Sequence, residues 1–135
     1  MSSNLFDKTT AALATSLAMR QIRHNVTAAN IANADTPNYH AKKVDFEDAL
    51  SRALDMDGNN SLTTSHMDHY AVGGKMEVTP GIYENPDVAV SNDGNTVDRD
   101  KEMAALAENS IMYKAALQLI NKKMAAMKYA ISETK

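Results

Sequence analysis

From Met103 to Ile131 apolar residues recur in alternating steps of three and four, at Met103, Leu106, Tyr113, Leu117, Ile120, Met124, Met127 and Ile131, with Ser110 as the single polar interruption. A stripe kept over about four heptads predicts a helix with a coiled-coil seam, about 50 Å long if it runs from Asp98 to Ser132. Asp98, Asp100 and Glu102 fall in its first turn and lysines cluster towards its end, each sign suiting the helix dipole. Ile111, Leu119 and Tyr129 lie away from the seam and call for a second neighbour. Methionine at several seam positions packs adaptably, which suits non-identical surroundings.

A partner for this helix stands at the other end of the chain. Residues 5–34 contain neither Pro nor Gly and are rich in Ala and Leu, predicting one long helix. Its apolar stripe changes side midway: Phe6, Leu13 and Leu17 share one face, and Met19, Ile22, Val26 and Ala29 lie nearly opposite. One partner cannot cover both. The fold class is therefore mainly α, with long N- and C-terminal helices pairing as an antiparallel coiled coil around a loop-rich middle with short β-strands. The chain divides into an N-terminal helix (1–34), a turn motif and connecting segment (35–54), an acidic loop-rich middle (55–97) and the C-terminal coiled-coil helix (98–135), all within one domain.

Composition says why both helices need company. Leu, Ile, Val and Phe supply 24 of 135 residues, below the share that a self-sufficient core uses, while Ala and Met make up the apolar total. With a net charge of only −3 the chain is not of the disordered class, and a helical protein completed by partners fits best. Residues 56–97 carry 1 basic and 6 acidic side chains and all the glycines. There Met76–Val78 and Val88–Val90 alternate briefly and are expected to pair as a hairpin. No run free of charge exceeds about 11 residues, which excludes a membrane-spanning helix of about 20. The first residues lack the pattern of a cleaved secretory leader, so export by the general route is not expected.

Catalytic and ligand motifs are weak. His66 and His69 could share a helical face for a metal, but they fall in loop sequence without a third ligand. Asp55–Asn60 begins like a calcium loop, yet Asn60 stands where Gly is needed and His66 where Glu is needed. No Gly-rich phosphate loop or nucleophile elbow is present, and Lys114, Lys122, Lys123, Lys128 and Lys135 read as a solvated helix face. The expectation is a non-enzyme with no cofactor, no metal, no nucleic acid and no small-molecule substrate.

The string from Ala29 to Tyr39, A-N-I-A-N-A-D-T-P-N-Y, instead dictates a backbone path. Pro37 biases Thr36 away from helical angles, so the first helix should stop near Ala34. Asn30 and Asn33 can then bond freed carbonyls or the amides of Asp35 and Thr36. This string resembles the A-N-x-x-N-x-x-T-P-G-Y signature of bacterial flagellar axial proteins. With Val44-Asp45-Phe46, Asp93-Gly94-Asn95-Thr96-Val97-Asp98, Asn109-Ser110 and Tyr113, the resemblance narrows to the FlgB family of proximal rod proteins. Asn38 stands where the signature has Gly, and Asn is the next most tolerant residue for a left-handed angle.

The resemblance implies a structural subunit of the periplasmic rod, assembled helically to transmit motor rotation and exported unfolded through the flagellar type III apparatus. It marks Asn30, Asn33, Thr36, Pro37 and Tyr39 as the axial motif. It implies as partners other rod proteins, copies of the same chain, the membrane ring and the export gate. The seam residues above, with Leu13, Leu17, Ile22 and Val26, are the expected assembly surface. A soluble helical-hairpin adaptor or chaperone and a different proximal rod protein are the rival readings.

Overall fold

The computed structural model describes residues 2–55 and 80–133, with side chains over 9–51 and 80–133. In chain order they form α1 (Ser2–Ala32), β1 (Lys42–Val44), α2 (Phe46–Asp55), β2 (Ile82–Glu84) and α3 (Arg99–Ser132). Ala-rich sequence without Gly or Pro lets α1 run uninterrupted for 31 residues, and it ends two residues before the expected Ala34. Asp98 is the N-cap of the 34-residue α3, its carboxylate accepting from the Lys101 amide. Asn30 meets Glu102 and Arg20 meets Asn109, so the two long helices run antiparallel.

The stretch expected to hold the turn motif and a connecting segment, 35–54, also contains β1 and all but the last residue of α2. In α2, Phe46, Ala49 and Leu50 fall at i, i+3 and i+4, giving one apolar face that packs on Met19 of α1. Arg20 and Arg23 lie over the Phe46 ring, 4.9 and 4.4 Å from its centroid, covering it with cationic faces. Glu47 and Asp48 in the first turn of α2 suit the helix dipole, and Glu47 pairs with Arg23 at 3.5 Å.

Of the expected hairpin between Met76–Val78 and Val88–Val90, only the second half is described, and it forms no strand. β1 pairs antiparallel with β2, Val44 opposite Ile82 and Lys42 opposite Glu84, while Val88–Val90 is irregular and Met76–Val78 lies outside the described residues. Bonds from Asp45 N–H to Gly81 and from Asn85 N–H to Ala41 extend the ladder at both ends. Pro86, which has no N–H to give, follows directly. His66 and His69 also lie outside the described residues. Among the described residues no helix is long and apolar enough to cross a membrane.

Candidate functional site

Two features meet where α1 ends: a polar turn that joins the termini, and a long face of α3. The turn begins with Asn33, whose side chain donates to the Ala29 carbonyl at 2.8 Å and accepts from Thr36 Oγ1 at 3.1 Å. This closes the last turn of α1 just where Pro37 forbids continuation. Asn38 adopts φ +58°, so the left-handed angle expected in place of the signature's Gly is kept. Its amide donates to the Asp93 carbonyl, and Thr96 N–H returns to Tyr39 O.

Of the two partners expected for these asparagines, the freed carbonyls or the turn amides, Asn33 takes a carbonyl and Asn30 takes neither; Asn30 is the hub of the junction. Only 1% exposed, it accepts from Lys42 N–H at 2.9 Å and Tyr39 OH at 3.2 Å. Its Nδ2 donates to Lys42 O at 2.8 Å and Glu102 Oε2 at 3.1 Å. Both amide hydrogens and both oxygen lone pairs are thereby used, which is the full capacity of the side chain. Asn95, also buried, does similar work from the far end of the chain. It donates to the carbonyls of Asn33 at 2.9 Å and Thr36 at 2.8 Å, and accepts from Val97 N–H. Thr96 Oγ1 takes the Ala41 amide, and an exposed ion pair joins Arg99 to Asp35 at 2.7 Å. Among the described residues no buried side-chain polar atom is left without a partner.

The electrostatics follow from this packing. Burial, and then the nearby Glu102 carboxylate, push the Tyr39 phenol above the ordinary tyrosine range. Burial and the adjacent Arg23 lower Arg20, whose Nη1 reaches Asn109 Oδ1 at 3.5 Å. The Lys101 amide holds the Asp98 carboxyl below its usual range. Beside the junction an open cleft of about 360 Å³ has Arg20, Arg23, Lys42 and Lys43 facing Glu47, Glu102 and Glu108.

The expected α3 seam is only partly the face that meets α1. Leu106, Tyr113 and Ile120 are half-buried, but the covered stripe continues through Glu102, Asn109, Ala116 and Lys123. Met103, Leu117, Met124, Met127 and Ile131 are exposed, from 41% at Leu117 to 74% at Ile131. The cause is polar: Asn109 Nδ2 donates to the Arg20 carbonyl at 2.8 Å and so rotates the covered stripe towards its own side. Ile111, Leu119 and Tyr129 are exposed too, as expected for positions off the seam. On α1, Leu13, Leu17, Ile22 and Val26 are each half-buried, and Met19, Thr27 and Asn30 are the buried positions.

Glu102, Asn109 and Asn95 were not singled out from sequence as contact residues. Their signal was a seven-residue spacing of polar side chains running beside an apolar seam.

Long helices from both termini, joined by a turn that reads A-N-I-A-N-A-D-T-P-N-Y, define an axial rod protein of the flagellum. Residues 12–40 match the family model described as flagella basal body rod protein. The chain is 39% identical over 118 residues to the flagellar basal body rod protein FlgB of Cereibacter sphaeroides, covering 87% of this chain and 89% of that one. It is 35% identical over 128 residues to FlgB of Aeromonas hydrophila, covering 93% and 94%. To FlgB of Bacillus subtilis it is 33% identical over 129 residues, covering 96% and 97%. The chain belongs to the FlgB family of flagellar basal-body rod proteins. It is a structural subunit of the basal body, which assembles with other flagellar components, and not an enzyme.

Proposed function

We propose that the chain polymerises through the uncovered face of α3, packing it in coiled-coil fashion against helices of adjacent subunits in a helical rod that transmits motor rotation. One observation carries this: Met103, Leu117, Met124 and Ile131 stand exposed at multiples of seven residues beside a stripe that α1 already occupies. Ser110 completes the row, and its hydroxyl is satisfied internally by the Leu106 carbonyl, so covering it costs little. Contacts that do not close into a ring build a tube, and such contacts need two different sticky faces on each subunit.

The neighbours in this reading are other rod proteins and copies of the same chain, with the membrane ring and export gate at the base. The rod lies in the periplasm, and the subunit reaches it unfolded through the type III apparatus. The four segments act as one domain whose interior is completed on assembly. The motif residues Asn30, Asn33, Thr36, Pro37 and Tyr39 shape each subunit, and the apolar stripes join subunits. Support comes from the family and from the surplus apolar surface.

Leu117→Asp with Met124→Asp tests it, because both side chains are exposed in the single chain. The variant should keep wild-type helicity by circular dichroism and yield non-motile cells without rods. Motile cells carrying both changes would refute the reading.

A further inference from the structure

Antiparallel helices whose contacts repeat every seven residues have an ambiguity that apolar packing does not resolve. Leu106, Tyr113 and Ile120 stand seven apart on the covered stripe. A slide of α3 along α1 by one heptad, about 10 Å, therefore replaces one large apolar contact by another at low cost. Polar side chains repeat in spacing but not in partner. Asn95, in the turn that precedes α3, and Glu102 and Asn109 on the helix are also spaced by seven, and each has a different partner on α1 or its terminal turn. Asn95 reaches the carbonyls of Asn33 and Thr36, Glu102 accepts from the Asn30 amide, and Asn109 donates to the Arg20 carbonyl. Asn95 and Asn109 are 3% and 4% exposed, so an unmade bond at either leaves a buried amide unpaired.

We infer that Asn95, Glu102 and Asn109 form a register lock, a polar ladder whose function is to select one alignment of α3 against α1 and to reject the alignments one heptad away. Sliding until Met112 lies where Ala105 lay sets Ala116, which has no polar group, opposite Arg20. The same slide brings Asn109, whose amide oxygen can still accept, to face Asn30, but it carries Glu102, which has no donor, to the place of Asn95, where the carbonyls of Asn33 and Thr36 lose their amide partner. The two outer rungs are lost at once, whereas Tyr113, Ile120 and Met127 take the places of Leu106, Tyr113 and Ile120. The ladder thus contributes to uniqueness more than to strength, as polar residues in helical seams do. Its consequence is that the exposed row Met103, Leu117, Met124 and Ile131 stands at one fixed height relative to the terminal turn in every copy.

The chain has no cysteine, so engineered pairs report alignment directly. Val26 and Ala105 line the same cleft between α1 and α3, so Val26→Cys with Ala105→Cys marks the native register. Val26→Cys with Met112→Cys marks the slid one. Disulfide yields are scored on monomeric product of the full-length chain after mild oxidation. In the otherwise native chain the 26 to 105 product should dominate. Adding Asn95→Ala, Glu102→Leu and Asn109→Leu should raise the ratio of the 26 to 112 product to the 26 to 105 product at least about tenfold, with helicity retained. Asn109→Leu alone should give a smaller rise in the same direction. An unchanged ratio in the triple variant overturns the inference. So does loss of both products together with helicity, which would make the ladder a source of strength and not of selection.

Discussion

Asn30 concentrates the junction's dependence on sequence in one side chain, since it alone bridges the N–H and C=O of Lys42 while holding Tyr39 and Glu102. Asn30→Ala strands both main-chain groups and should cost about 3 kcal/mol in urea denaturation, an unmade buried bond costing about 1–3 kcal/mol. Asn30→Asp should be no better, because it exchanges the amide donor for a negative charge facing Glu102. Tyr39 adds a pH dependence whose sign is fixed by the direction of its shift. Its folded-state pKa lies above the unfolded value, so the fold favours the neutral phenol. Stability is undiminished below the unfolded pKa and falls as pH rises through about 10. The alkaline slope of thermal melts should shrink in Tyr39→Phe; an identical slope would remove Tyr39 as its source. Gly94 sits at φ +78°, and a Cβ there would clash with Asn38 Oδ1. Gly94→Ala should therefore cost about 1–3 kcal/mol, and Asn38→Gly should recover part of that loss by removing the clash.

At the scale of elements, α3 has two faces that respond differently to charge. Ile120 is half-buried on the α1 side, and Ile120→Asp should lower the stability of the single chain by about 2–4 kcal/mol as well as blocking assembly. Leu117→Asp, on the exposed side, should block assembly alone. Pro37→Ala should lengthen α1 and cause a milder motility defect, because Asn33 and Asn95 still bind the last carbonyls of the helix. The three-and-four spacing made α3 legible and placed Leu106, Tyr113 and Ile120 at its centre. It could not say which flank α1 would take. That choice rests on Asn109 and Glu102, whose partners stand 89 and 72 residues away, and hydrophobicity gives such residues no weight. The stop of α1 and the left-handed Asn38 were legible because Pro37 and the turn residues act locally. β1 and β2 were not, because three residues each carry little pattern and Asn30, not alternation, holds β1 in place. The apolar face of α2, at Phe46, Ala49 and Leu50, was short enough to pass for connection.

Over the whole molecule the apolar balance is lopsided. The core cluster among the described residues is Met19, Phe46 and Ala49 with Leu50 against it, while α3 exposes apolar side chains along most of its length. In the proposed assembly, neighbours cover the exposed apolar face of α3 that the single chain leaves open. Methionine reactivity measures that cover side chain by side chain. Met19 is 1% exposed in the single chain, whereas Met103, Met124 and Met127 are 56%, 60% and 41% exposed. Peroxide oxidation read by mass spectrometry should modify those three readily in the purified chain and spare Met19. In intact basal bodies all four should be protected. If Met103, Met124 and Met127 oxidise as fast in assembled rods as in the free chain, the α3 face is not where subunits join.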